Sequence, residues 1–97
     1  MEEKIAEDLR ERTKKFALRI IRLYNALPGN GSAKVIASQL VRSGTSVGAH
    51  YREANRARSV AEFISKMEGA LQELDETSYW IELLLESKVL EKEGFSQ

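Results

Sequence analysis

Cysteine is absent from this 97-residue chain, and histidine and proline occur once each, at His50 and Pro28. Without thiols there are no disulfides, no zinc-ribbon spacing and no cysteine nucleophile. A single histidine among scattered carboxylates gives no metal-ligand pattern, so neither metal nor cofactor is expected. No apolar run approaches the ~18 residues of a membrane span, and the opening Met1-Glu2-Glu3 is unlike a signal peptide. The chain is therefore expected to be soluble, cytoplasmic and free of membrane contact. Its 97 residues make one domain, with 42% apolar content for a single small core.

Net charge is also lacking, but the formal zero hides a segregation. Residues 10–66 hold twelve Lys/Arg against Glu11, Glu53 and Glu62, whereas residues 1–9 and 67–97 are acidic. Such a pattern suits a basic surface for a polyanion. It suits equally well acidic and basic helices that attract each other within a bundle or between subunits.

What is present is helical periodicity. Ile5, Leu9, Thr13, Phe16, Ile20, Leu23 and Leu27 recur at three- and four-residue steps, predicting a first helix from about Glu3 to Leu27. Ala17, Ile21 and Tyr24 widen that face, as for a helix touching two neighbours. Arg12, Lys15, Arg19 and Arg22 form a basic stripe opposite, with Asp8 and Glu11 placed four residues ahead of Arg12 and Lys15 as local partners. Pro28-Gly29-Asn30-Gly31 is the one strong turn signal, and Ser32 is the expected N-cap of a second helix reaching about Arg56. Its core stripe reads Ile36, Leu40, Ser43, Val47, His50 or Tyr51, and Ala54.

Ser59-Val60-Ala61-Glu62 has the S-x-x-E form of a capping box and marks a third helix running to about Ser87. The short connection makes helices two and three antiparallel neighbours. Two seams run along the third helix. One is Phe63, Met67, Ala70, Leu74, Thr77, Ile81 and Leu84; the other is Val60, Ile64, Leu71, Ser78 and Leu85. From Tyr79 to Leu85 this helix is apolar almost all round, more than one neighbouring hairpin can cover. A fourth helix or another subunit is expected there.

The least generic stretch is Arg42-Ser43-Gly44-Thr45-Ser46-Val47-Gly48-Ala49, followed by His50, Tyr51, Arg52, Glu53, Ala54 and Arg56. Two glycines inside a helix cost roughly 1 kcal/mol each against alanine, which close approach of another backbone would offset. Gly44 and Gly48, four apart, read as tight helix packing, with Thr45 and Ser46 bonding back to the helix. Tyr51, in phase with Val47, reads as a core or interface residue. Glu53 has Arg56 three residues on, or an arginine of another subunit, as its expected partner.

That run, extended through Phe63-Ile64 and Tyr79-Trp80-Ile81-Glu82-Leu83-Leu84, resembles the four-helix-bundle proteins encoded within 23S rRNA intervening sequences of bacteria. The accessory variability proteins of diversity-generating retroelements are similar to that group. The resemblance covers most of the chain, and it implies an up-and-down antiparallel bundle assembling into a ring, typically a homopentamer. It also implies association with rRNA or another RNA, or with a reverse transcriptase-like protein, since the retroelement relatives bind both through basic surfaces. His50 stands where such proteins often carry Asn. The last helix is expected to be short or missing.

These readings lead to a non-enzymatic, all-α oligomer acting as an accessory or scaffold for RNA or a ribonucleoprotein. The alternative is a purely structural protein–protein module. Arg19, Arg22, Arg42, Arg52 and Arg56 are the candidates for phosphate contact, with Lys15 and Arg58 as second choices. Gly44, Thr45, Ser46, Gly48, Tyr51, Glu53, Tyr79 and Trp80 are assigned to helix packing or a subunit interface. Catalysis is disfavoured. Helical nucleases of the HEPN type set Arg and His four to six residues apart, whereas Arg42 and His50 have seven residues between them and fall about 80° apart around the helix. No second histidine or carboxylate pair completes an acid–base site.

Overall fold

The computed structural model describes residues 2–87. They form three helices, α1 (Glu2–Ala26), α2 (Gly31–Ala54) and α3 (Val60–Glu86), joined by short turns. The apolar periodicity thus sets all three elements to within about two residues. Ile5 lies outside the residues whose side chains are described, and the region expected to hold a short last helix (88–97) lies outside the described residues altogether.

The caps differ in detail from expectation. Asn30, with extended backbone, is the N-cap of α2, and Ser32 sits inside the first turn. Gly31, at φ 66°, turns the chain into the helix in a conformation that favours glycine. At α3 the capping box is half as expected. Ser59 Oγ accepts the Glu62 N–H at 3.0 Å, but Glu62 Oε1 accepts the N–H of Arg58 at 2.6 Å, one residue before the cap.

The second helix is central. It packs on α1 along one side and on α3 along the other, while α1 and α3 scarcely meet. The core accordingly follows α2: Ala33, Ala37, Leu40, Ser43, Gly44, Val47, Tyr51 and Ala54 are buried, and Leu40 has no exposed surface. Ile20 and Leu27 close it from α1 and Leu84 from α3. Of the two readings for α2's lower stripe, Tyr51 is in the core and His50 is half-buried.

Among the described residues α1 packs mainly on α2, and Ile21 and Tyr24 are exposed there. Of the first α3 seam, Ala70, Thr77 and Leu84 bury against α2, whereas Phe63 and Leu74 stay exposed. The second seam is uncovered among the described residues, with Val60, Ile64, Leu71 and Leu85 all exposed.

Candidate functional site: a polar seam and a basic helix face

The small-residue run does what close packing requires. A Cβ on Gly44 would lie 2.9 Å from Cγ1 of Ile20, and one on Gly48 would lie 3.1 Å from Oγ1 of Thr13. Both glycines therefore let α1 approach the α2 backbone. Thr45 donates to the Val41 carbonyl and Ser46 to the Arg42 carbonyl, each at 2.7 Å, so both hydroxyls return to their own helix.

Between α2 and α3 the packing is polar as well as apolar. Thr77 Oγ1 donates to Ser43 Oγ at 2.8 Å in the buried centre of the pair. Beside it, Arg42 engages Glu73 at 3.3 Å and also Glu76. Trp80, half-buried against the core, donates its indole N–H to the same Glu76 oxygen at 3.2 Å. The second oxygen of Glu73 stands 3.8 Å from His50 Nε2. The His50 ring lies over Gly69, where a Cβ would come within 2.9 Å of Nδ1, and that nitrogen is buried without a hydrogen-bond partner. His50 is thus a packing residue, but not a hydrogen-bonded one.

Farther down, Lys66 bonds Glu53 at 2.9 Å. This bond and the ammonium's charge hold the Glu53 carboxyl below its ordinary value, and the same bond with the carboxylate's charge pushes Lys66 upward. Glu53 is therefore paired within the subunit, across helices, and not with Arg56 as expected.

These contacts divide the candidate arginines. Arg42 is committed to two carboxylates of its own subunit. On α1, Asp8 holds Arg12 at 3.6 Å, and Glu11 pairs with Lys14 instead of the expected Lys15. Lys15, Arg19 and Arg22 have no carboxylate partner among the described residues, and they line one hollow of about 480 Å³ beside Leu18. Arg52, Arg56 and Arg58 likewise lack a side-chain ion pair there, at the end of α2 and the start of the turn. A second groove, about 470 Å³, lies between α1 and α3, with Phe16, Val47 and Leu74 in it and Arg12, Lys15 and Arg19 on the α1 side. Tyr79 is exposed beside Trp80, their rings 5.2 Å apart.

Among the described residues no group of three or more His, Cys, Asp or Glu is placed to hold a metal ion, and no helix is long and apolar enough to cross a membrane. Fold and site together define an all-α bundle protein with small-residue packing on one side of its central helix and a charged seam on the other. The chain belongs to the 23S rRNA-intervening sequence protein family, whose model matches residues 7–97. A crystal structure of a protein of unknown function from the S23 ribosomal protein family of Bacteroides thetaiotaomicron is similar, at 42% identity and a TM-score of 0.80. The similarity covers 86% of this chain and 74% of that one. No curated protein matches the chain.

Proposed function

We propose that this chain is a non-enzymatic subunit of a cytoplasmic homo-oligomer that acts as an accessory or scaffold for RNA or a ribonucleoprotein. A ring of four-helix units, with five subunits as the favoured number, is the assembly the family resemblance suggests. One observation carries the RNA part: Lys15, Arg19 and Arg22 form an exposed row along α1, none in an ion pair among the described residues, and Glu11, the carboxylate in the same hollow, is paired with Lys14. Over two turns, about 10 Å of helix, such a row offers three cations to a phosphate backbone. Arg52, Arg56 and Arg58 add to it. Repetition around an oligomer would multiply weak contacts into a strong one.

The competing reading, a structural module that binds no nucleic acid, draws support from Arg42 and His50, which face carboxylates of α3, and from Lys66 of α3, which faces Glu53 of α2. The test is RNA binding by fluorescence anisotropy across a salt series, with the oligomer mass measured on the same sample. Binding should fall by roughly 0.7 per neutralised phosphate on the log–log plot for single strands. Replacing Arg19 and Arg22 by Gln should flatten that slope. A defined oligomer that binds no RNA even at low salt leaves only the structural module.

A further inference from the structure

The hollow on the outer side of α1 is built from Lys14, Lys15, Arg19 and Arg22, with Glu11 at one end and Leu18 beside the cations. Glu11 is taken by Lys14 at 3.5 Å, so the charge left for a ligand is that of Lys15, Arg19 and Arg22. At about 100° per residue these three fall within about 60° of one another around the helix, which makes the row straight. The hollow holds no aromatic ring. Its one uncharged side chain, Leu18, is 43% exposed and can neither donate nor accept a hydrogen bond. The described aromatic residues lie elsewhere. Phe16 packs half-buried against the core, Tyr24 lies about 160° around α1 from Arg22, and Tyr79 is on α3.

The form of the RNA decides what such a face can hold. A single strand is held by a groove that tracks its backbone and by aromatic rings under its bases, and the stacking offsets the cost of ordering a flexible chain. A duplex is already ordered, and proteins recognise it by shape, phosphates and 2′-hydroxyls. A convex row of cations with an aliphatic neighbour supplies charge and van der Waals contact and little else. That suits phosphates already fixed in place. A helix about 10 Å wide cannot enter the deep, narrow major groove of duplex RNA, but it can lie on the wide, shallow minor groove.

We infer that the α1 row takes double-stranded RNA, gripping phosphates beside the minor groove without reading sequence. This deepens the RNA reading above and rests on it. Lys15, Arg19 and Arg22 meet the phosphates, and Leu18 lies against the sugars between them. Leu18 and Arg22 line this hollow and not the groove between α1 and α3, so a fourth helix seated in that groove does not compete for them.

The test uses the full chain and two dye-labelled RNAs. One is a mixed-sequence duplex of about 16 base pairs, the span of a minor-groove reader; the other is an unpaired oligouridylate of about 32 nucleotides, matched in phosphate number. The duplex should bind at least about tenfold tighter, and duplexes of different sequence should agree within about twofold, since phosphate contacts carry no sequence information. Arg19→Gln with Arg22→Gln should weaken the duplex about tenfold or more. Leu18→Tyr, which puts a ring beside the cations, should tighten the oligouridylate about fivefold or more and leave the duplex nearly unchanged. An oligouridylate bound as tightly as the duplex overturns the inference and leaves the RNA reading standing. So does a duplex preference that survives the double arginine variant, because the site then lies elsewhere. Binding of neither RNA at low salt overturns both.

Discussion

Thr77 donates a hydrogen bond to Ser43 across the centre of the α2–α3 interface, where neither residue keeps more than 1% of its surface. Thr77 Oγ1 also lies 2.7 Å from the Glu73 carbonyl, and Ser43 Oγ lies 3.4 Å from the Leu40 carbonyl. Two hydroxyl protons therefore serve three acceptors, and each side chain retains some bonding to its own helix. Buried polar pairs of this kind specify register, since sliding α3 by one residue would leave both hydroxyls facing apolar neighbours.

Ser43→Ala and Thr77→Val should each destabilise the fold by about 1 kcal/mol, the usual net value of an intramolecular hydrogen bond. The double variant should cost clearly less than the two singles together, because no orphaned hydroxyl is left behind. Urea unfolding of all four proteins measures the coupling, and an additive cycle would show that the two hydroxyls act independently.

The helix glycines should differ. At Gly44 an added methyl meets Ile20, which is buried, so Gly44→Ala should lose about 1–2 kcal/mol even after the gain in helix propensity. At Gly48 the methyl meets Oγ1 of Thr13 at 3.1 Å and its Cβ at 3.3 Å; the hydroxyl can turn aside but the Cβ moves only with α1, so Gly48→Ala should cost less than Gly44→Ala. Adding Ile20→Val to Gly44→Ala should recover part of the loss. Thermal unfolding would reveal the order, and a Gly48 variant worse than the Gly44 variant would contradict it.

How much of this was legible beforehand follows from distance along the chain. Contacts within one helix turn left a pattern: the seams gave three helices, the S-x-x-E run marked the start of α3, and Thr45 and Ser46 bonded as expected. Partners on different helices left none. The carboxylates that hold Arg42 lie 31 and 34 residues away, and Lys66 reaches Glu53 from thirteen residues on. Local pairing rules instead pointed Glu53 at Arg56 and Glu11 at Lys15. The two α3 seams were visible as apolar rows, but only the packing shows that one side turns to α2 while the other is uncovered among the described residues.

The Glu53–Lys66 pair carries its own pH signature. Glu53 is lowered from 4.5 by the Lys66 hydrogen bond and charge, and Lys66 is raised from 10.5 by the same contact. The carboxylate's contribution is thus complete above its ordinary value and lost as pH falls through the lowered one. The ammonium's is complete below its ordinary value and lost as pH rises through the raised one. Across neutral pH the pair should be constant. Lys66→Met should return Glu53 toward 4.5, and an NMR titration of the Glu53 carboxyl that is unmoved by the substitution would exclude the contact in solution.

Arg42→Gln separates structure from RNA binding. It leaves Glu73 and Glu76 without their shared cation, and with the guanidinium only half-buried the loss should be about 1 kcal/mol or less. Its effect on the salt slope of RNA binding should be nil, in contrast to Arg19→Gln. An equal flattening by both variants would show that Arg42 leaves its carboxylates to meet phosphate.

The central position of α2 has a consequence for how the molecule opens. Every ion pair between helices among the described residues joins α2 to α3, while Ile20 and its neighbours hold α1 mainly through apolar contact. The backbone contacts of α1 with α3 are few, so most of the packing between α2 and α3 does not depend on α1. The amides of α1 should therefore exchange with solvent hydrogen through a lower-energy opening than those at the middle of α2, giving one chain two cooperative units.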